Sequence, residues 1–369
     1  MSIDPFDFVP AVGKQLDWQA IDAAFDWIRA MRDCPQDPEY HAEGNVWIHT
    51  RMVVEVLLAL NPVDRAALFV AALLHDVAKP ATTKLEDGRL RSRGHSAKGA
   101  IMARRILWEA GTPFEIRERI CGMIRFHQIP YYTFDRPDPR KLVFRISLAT
   151  RCDQITMFAE ADIRGRICAT QQESLDNVEI FGEYCREQNI FEGPRVFAND
   201  TSRFEYFARE DRDPDYAAYE DPNGFEVILM AGLPGSGKDT WLKRNADHLP
   251  VVSLDDIRIE TGAAFTGDQG PVVSEAKERA REYLRRREPF AFNATNLTHE
   301  FRSRWMQLFT DYRARVRIVY VESQHDRLWK QNRDRERPVP EQAIERMLAR
   351  WELPELYEAH RVDYVWAPK

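Results

Sequence analysis

The hydrophobic period of this chain changes once, near Phe225, and that change limits the folds open to it. Beyond it, apolar runs at Glu226–Met230, Pro250–Leu254, Pro289–Asn293 and Val316–Val321 alternate with helical stretches, the order that builds a parallel sheet covered by helices. Before it, from about residue 15 to 190, apolar residues recur every three or four positions in stretches such as Trp47–Leu60, Ala66–Val77 and Lys98–Ala110, and short β-runs are rare. The expected architecture is an all-α domain over residues 1–190, a connector over 191–222, and an α/β domain over 223–369. The connector is rich in charge and proline but carries Phe197, Phe204, Tyr206 and Phe207, so it should be ordered on the surface. No internal repeat points to a solenoid or propeller.

Composition supports two cores. The 369 residues exceed the ~100–200 typical of one domain. With 44% hydrophobic and 30% charged residues, the balance is globular. The start, MSIDPFDFVP, is acidic where a secretory signal is basic, and no apolar run approaches the ~20 residues of a membrane helix, so a cytoplasmic protein with no membrane partner is expected. Cys34, Cys121, Cys152, Cys168 and Cys185 are odd in number and form no CxxC pair, which fits reduced thiols. A formal net charge of −7 means that a polyanionic partner must be held by local clusters; a strand end needs few such contacts.

Gly232-Leu233-Pro234-Gly235-Ser236-Gly237-Lys238 follows the first apolar run and opens a helix. In that context backbone N–H groups wrap the phosphates of a nucleotide and Lys238 reaches the β- and γ-phosphates. Asp239 stands where Ser or Thr usually binds Mg²⁺, with Thr240 next; a carboxylate can still bind Mg²⁺ directly or through water. The second strand ends in Ser253-Leu254-Asp255-Asp256-Ile257-Arg258, which puts Asp255 at the carboxyl edge of the sheet as a candidate base for an attacking hydroxyl; Asp256 could instead be part of a helix cap. The charged break Asn332–Pro340 carries Arg333 and Arg337, which fit an Arg-rich lid over a transferring phosphoryl group or, alternatively, a solvated charge run.

In the helical half, His49, His75-Asp76, His95, His127 and Asp153 follow one another as H…HD…H…H…D. Imidazoles and carboxylates in that mixture suit Mn, Fe, Co or Ni, and six ligands can hold two ions with Asp76 between them. His75-Asp76 ends a strongly apolar helix, a rigid support for ligands. Lys79, one turn further on, could neutralise a phosphate oxygen during hydrolysis. Asp162 competes with Asp153 for the last place; nine residues at ~100° each put the two on opposite helix faces, so both cannot serve one site.

These motifs resemble known families. The P-loop followed by Trp241, the Asp255-Asp256-Ile257-Arg258 element, Thr295-Asn296 after the third strand, and Arg333 and Arg337 before Val339-Pro340 resemble the phage-type 5′-OH polynucleotide kinase over residues 223–369. That resemblance implies an α/β P-loop kinase using an NTP (ATP or GTP) with Mg²⁺. Asp255 would be its general base, Arg258 would hold the substrate's end phosphate, Thr295 and Asn296 would line the acceptor site, and Arg333 and Arg337 would contact donor phosphates. Two positions depart from it: Asp239, and Asn293 where such kinases often have Asp. The stretch Trp47–Arg166 resembles the HD domain of tRNA nucleotidyltransferases, in His75-Asp76-x-x-Lys79, in Gly94-His95-Ser96-Ala97-Lys98-Gly99-Ala100, and in Glu160-Ala161-Asp162-Ile163-Arg164-Gly165-Arg166. Asp153 is taken as the last ligand because its distance past His127 and its Arg-Cys-Asp setting are similar to other HD proteins.

The combination resembles the bacterial HD-domain polynucleotide kinase family. It implies 2′,3′-cyclic phosphodiesterase and 2′-phosphatase activity with two divalent transition ions (Mn²⁺, Co²⁺ or Ni²⁺), 5′-OH kinase activity on RNA or DNA ends, and a functional link to a nucleic-acid ligase, because ligation needs a 5′-phosphate and a free 3′-hydroxyl. Other readings stay open: a small-molecule or nucleotide kinase fused to an HD nucleotide phosphohydrolase, an HD half that only binds, or a sensor that hydrolyses a nucleotide messenger.

Overall fold

The computed structural model describes residues 3–263 and 267–366. The chain divides into two compact units, residues 1–195 and 196–369.

The first unit is helical: α1 (Trp18–Ala24), α2 (Trp27–Arg32), α3 (Val46–Leu60), α4 (Arg65–Leu74), α5 (Lys79–Thr82), α6 (His95–Glu109), α7 (Phe114–Phe126), α8 (Pro139–Ala149), α9 (Cys152–Arg164) and α10 (Gln171–Glu187). One short hairpin, β1 (Lys84–Glu86) and β2 (Arg89–Arg91), interrupts them. Helix α3 starts where the Asn45 side chain accepts from the Ile48 N–H and stops at Asn61 in the left-handed region. Helix α4 is apolar on every side from Ala67 to Leu74 and is buried on every side, as such a helix must be. It ends at Leu74, short of the expected Val77, and His75–Ala78 forms a turn. That turn places His75 and Asp76 at the end of the most buried segment of the unit. Gly165, just past α9, lies so close to α3 that a Cβ there would meet the Val53 nitrogen at 2.7 Å. The absent side chain brings the end of α9 against the helix that carries His49.

The second unit contains α11 (Asp200–Ala208), β3 (Glu226–Ala231), α12 (Lys238–Asn245), β4 (Val251–Ser253), α13 (Leu254–Thr261), α14 (Gly270–Arg286), β5 (Phe290–Asn293), α15 (His299–Asp311), β6 (Arg315–Glu322), α16 (His325–Arg333), α17 (Glu341–Leu348) and β7 (Arg361–Trp366). Its five strands pair in the order β4-β5-β3-β6-β7, all parallel. The central strand β3 is buried from Val227 to Ala231, the continuous apolar run of a strand covered on both faces. Residues 196–222 belong to this unit, and α11 is part of its packing. Phe207 lies 4.7 Å from Tyr357 and Phe204 4.2 Å from His360, ring centre to ring centre, and the Arg203 Nε donates to the Leu356 carbonyl at 3.0 Å. Phe204 and Phe207 of the expected connector thus pack, half-buried, against the α/β unit, and Tyr206 is buried.

Candidate active sites

In the helical unit four elements converge on Asp76. His75 Nε2 is 3.1 Å from Asp76 Oδ2, His95 Nε2 is 3.4 Å from Asp76 Oδ1, and His49 Nε2 is 3.8 Å from Asp76 Oδ2. His127 joins Asp76 and His95 in a second group, so that Asp76 is common to two sets of three donors, each within 4.8 Å. All five side chains are buried. His75, His95 and His127 each direct Nδ1 at the carbonyl three residues earlier (Ala72, Ser92, Ile124), at 2.7 Å in every case. An Nδ1–H donated to a carbonyl leaves Nε2 with its lone pair facing the centre, the tautomer a metal ligand needs.

The fourth wall is built by Asp162 where Asp153 was expected. Asp153 sits in the first turn of α9, held by Arg151 at 2.5 Å and accepting from the Gln154 N–H at 2.8 Å, and it does not reach the histidines. Asp162, nine residues on, is 1% exposed and lies 2.9 Å from His49 Nε2. Only one of the two carboxylates on α9 faces the cluster, and that one is Asp162. Its other oxygen is 2.8 Å from the Tyr131 hydroxyl and 2.8 Å from Arg166 Nη2. Behind His49, Glu43 Oε1 lies 3.0 Å from His49 Nδ1 and 2.8 Å from His41 Nδ1. Glu43, His41, Tyr131 and Arg166 were not singled out by spacing, because they come from a loop, a short 3₁₀ segment and the residues after α9.

The electrostatics of this centre are uneven. Burial opposes ionisation of Asp76, but His75 and Lys79 outweigh it and hold the carboxyl well below its usual range. Burial likewise opposes Asp162, and Arg166 and His49 outweigh it. Burial pushes His127 down to about 3, with the neighbouring His75 adding to it, so this ring is neutral. Both Asp76 carboxylate oxygens and His75 Nε2 are buried without a hydrogen bond. Stranding groups such as Asp76 Oδ1 and His75 Nε2 costs about 1–3 kcal/mol each or more, so the donor set fits a divalent cation, which would satisfy these two and share Asp76 Oδ2 with its ion-pair partner Lys79. Lys79 Nζ stands 2.7 Å from Asp76 Oδ2. It is buried at 4% exposure, not the surface lysine its sequence context allows.

In the α/β unit the P-loop spans the end of β3 and the start of α12. Gly232 (φ 140°), Gly235 (φ 78°) and Gly237 (φ 100°) hold conformations that L side chains rarely adopt. At Gly232 a Cβ would lie 2.2 Å from the Val321 carbonyl, so no other residue fits. Lys238 Nζ donates to the Gly232 and Leu233 carbonyls at 3.0 and 2.9 Å, and burial lowers its pKa to about 8. Ser236 Oγ is buried without a partner. Amide-lined glycine turns, a half-buried ammonium and a helix N-terminus together fit nucleotide phosphates.

Across a cavity of about 430 Å³ from Lys238 lie Asp255, Arg258 and Arg335, with Pro234, Asp239 and Thr240 on the P-loop side. Arg258 Nη1 is 2.6 Å from Asp255 Oδ1, and Arg335 Nη2 is 3.4 Å from Asp255 Oδ2. Arg333 and Arg337 are exposed, and the arginine of that charged segment that reaches the cavity is Arg335. Arg333 is the last residue of α16, and the bend that follows turns Arg335 inward. Thr295 lines the cavity, and its carbonyl accepts from the Gly232 N–H at 2.8 Å. Asn296 also lines it, but its amide is spent on the Met230 carbonyl at 2.7 Å, pinning the strand beneath the P-loop. The two departures noted above are in contact, since Asn293 Nδ2 donates to Asp239 Oδ1 at 2.6 Å.

Comparison with known proteins agrees with this division. Residues 46–157 match the HD domain family, and residues 227–354 match a family described as AAA domain. The chain is thus an HD domain followed by a P-loop, kinase-like α/β domain. Over 105 residues it is 40% identical to the CC-adding tRNA nucleotidyltransferase of Thermus thermophilus, a match covering 28% of this chain and 23% of that protein. The match thus spans about a quarter of that relative's length. An unliganded sugar kinase structure from Janibacter sp. HTCC2649 aligns with 39% of this chain and 85% of its own, at 18% identity and a TM-score of 0.31. Among the described residues no helix is long and apolar enough to cross a membrane.

Proposed function

We propose that the chain is a bifunctional enzyme that repairs polynucleotide ends and belongs with the bacterial HD-domain polynucleotide kinases. The α/β domain transfers the γ-phosphate of an NTP, as its Mg²⁺ complex, to a 5′-hydroxyl. The HD domain hydrolyses 2′,3′-cyclic phosphate and 2′-phosphate ends. The observation that carries this reading is the placement of Asp255 between Arg258 and Arg335 in the cavity that also holds Lys238. A carboxylate flanked by guanidiniums suits an acceptor whose hydroxyl lies close to an anionic phosphate, which a strand end has and a neutral sugar lacks.

In the kinase reaction, Lys238 leaves the two carbonyls it now caps and neutralises the donor phosphates, Arg335 faces the transferring group, Arg258 holds the acceptor's phosphate, and Asp255 takes the hydroxyl proton. In the HD domain, His49, His75, Asp76, His95, His127 and Asp162 are the residues that would hold divalent transition ions. Such ions polarise a phosphate ester and make water more acidic. Lys79 offsets charge on the ester's oxygens. The two reactions leave a 5′-phosphate and a free 3′-hydroxyl, the substrates of a ligase.

The test is one oligonucleotide with a 5′-hydroxyl and a 2′,3′-cyclic phosphate, incubated with NTP and Mg²⁺ and separately with Mn²⁺, Co²⁺ or Ni²⁺. Lys238→Ala should abolish 5′ phosphorylation and spare 3′-end hydrolysis, and Asp76→Ala should do the reverse. Phosphorylation of mononucleosides in preference to the oligonucleotide would remove the polynucleotide reading.

A further inference from the structure

A cavity of about 630 Å³ opens over the HD cluster, lined by Gln36, Lys79, Arg91, His95, Tyr132 and Arg166 among others. Three of these side chains have hydrogen-bonding capacity that nothing among the described residues uses: Gln36, Arg91, and Arg166 at its Nε, although the Arg166 Nη2 is already paired with Asp162. Gln36 is nine-tenths buried at 9% exposure, and its Nε2 has no hydrogen-bond partner. Its orientation is fixed, because Oε1 accepts from Lys79 Nζ at 2.6 Å and the flipped amide would set a donor against an ammonium. The stranded group is therefore the NH₂, a buried donor left unpaired in the free protein.

Arg91 is the second. The neighbouring arginines are neutralised: Arg89 by Asp37 at 3.0 Å and Glu39 at 2.6 Å, Arg93 by Glu86 at 3.2 Å, and Arg166 by Asp162 at 2.8 Å. Arg91 is half-buried and has no acidic partner among the described residues. It ends β2 of a hairpin whose turn, Asp87-Gly88, has φ of 52° and 76°, the two positive angles of a tight two-residue connection. Of the carboxylates that also line the cavity, Asp37 is paired to Arg89, while Asp135 and Glu173 are exposed.

We infer that Gln36 and Arg91 form a phosphate-oxygen subsite of the HD cavity, in which the Gln36 amide positions Lys79 through its oxygen and donates to a phosphate oxygen through its nitrogen, while Arg91 supplies the unneutralised charge. The inference rests on the reading of this cavity as a phosphate-ester site and adds the residues that select an oxyanion. An anion offering acceptor oxygens satisfies both groups; a neutral ligand can accept from the Gln36 amide but leaves the Arg91 charge unneutralised.

Gln36→Glu separates the two jobs of this residue, because it keeps an acceptor for Lys79 and replaces the free donor with a second acceptor. The measurement is hydrolysis of bis(p-nitrophenyl) phosphate by the Mn²⁺-loaded full chain, with inorganic phosphate as inhibitor. Gln36→Glu and Arg91→Met should each raise both the phosphate inhibition constant and the KM for the ester about tenfold. Gln36→Leu, which also releases Lys79, should lower kcat as well. Inhibition constants within twofold of the parent for both Gln36→Glu and Arg91→Met would overturn the inference. A second readout needs no turnover: in a Lys238→Ala chain, whose P-loop holds the anion more weakly, phosphate should raise the melting temperature in the presence of Mn²⁺, and Gln36→Glu and Arg91→Met should each remove that rise. A chain that shows the rise but hydrolyses no ester loses the enzymatic reading and keeps the subsite; a chain without the rise loses the subsite.

Discussion

Asp162 Oδ1 lies 2.9 Å from His49 Nε2, which joins the last turn of α9 to α3 across the HD centre. Asp153, on the same helix, points away toward Arg151. If the cluster holds divalent ions, Asp162→Ala should lower bound Mn²⁺, measured by elemental analysis after gel filtration, and cut phosphodiester hydrolysis by about 100-fold or more. Asp153→Asn should leave both within threefold. Equal losses in the two variants would show that α9 acts only as scaffold.

At the P-loop, the contact between Asp239 and Asn293 gives a second prediction. Asn293 Nδ2 donates to the Asp239 carboxylate, and Asn293 Oδ1 is buried without a partner. Asp239→Ser should raise the Mg²⁺ concentration that half-saturates NTP binding about tenfold, read by fluorescence of a labelled nucleotide. Asn293→Asp alone sets two carboxylates at hydrogen-bond distance and should also weaken Mg²⁺–nucleotide binding or shift its pH dependence upward. The pair Asp239→Ser with Asn293→Asp, which moves the single carboxylate to the strand, should recover most of the loss. Additive losses in the double variant would mean that the two positions are independent.

Much of this was legible in the chain because it is local. The change of period near Phe225 marks the passage from helices to a parallel sheet, and the glycine positions of the P-loop announce backbone angles that only glycine takes. His49, His75, Asp76, His95 and His127 could be collected because each lies at or near the end of a helix, where spacing carries information. What spacing does not carry is long-range approach. Asp162 enters the HD centre because Gly165 lets α9 close on Val53; the Glu160–Arg166 motif makes Asp162 a candidate, but spacing alone does not choose it over Asp153. Gln36 and Glu43 come from the loop between α2 and α3, and their partners Lys79 and His49 are chosen by the fold. Arg335 rather than Arg333 or Arg337 meets Asp255 because the chain bends after α16, and three arginines at two-residue intervals do not say which one turns inward.

His360 supplies a pH dependence in the α/β domain. Its Nδ1 accepts from the Val316 N–H at 3.1 Å, which requires an unprotonated nitrogen, and burial followed by the Arg315 charge lowers its pKa from 6.5 to about 4. The folded chain keeps this ring neutral where the unfolded chain takes up a proton. Its contribution is therefore complete above pH 6.5, is lost as pH falls from about 6.5 to about 4, and changes no further below that. The loss amounts to about 2 kcal/mol by pH 5. Urea unfolding at pH 7.5 and pH 5 should show it. His360→Asn, whose side-chain oxygen can still accept and cannot titrate, should lose that part of the slope; an unchanged slope would assign the effect to other groups.

The last prediction concerns what holds the kinase-like cavity in shape. Arg302, with no exposed surface, donates to both Glu358 oxygens at 2.6 and 2.9 Å and to the carbonyls of Asn296, Glu352 and Leu353 at 3.0 to 3.1 Å. It ties the segment after β5, which carries Thr295 and Asn296, to the chain that leads into β7. Arg302→Met leaves a buried carboxylate and three carbonyls without their donor and should cost about 3–5 kcal/mol of unfolding free energy. Removing both charges, as Arg302→Met with Glu358→Gln, should cost less than the single change, because no unpaired charge remains buried. Nucleotide binding should fall with Arg302→Met even where the chain is folded, since Asn296 pins β3 beneath the P-loop through the Met230 carbonyl. Stability lost without any change in nucleotide affinity would confine Arg302 to the packing of the domain's edge.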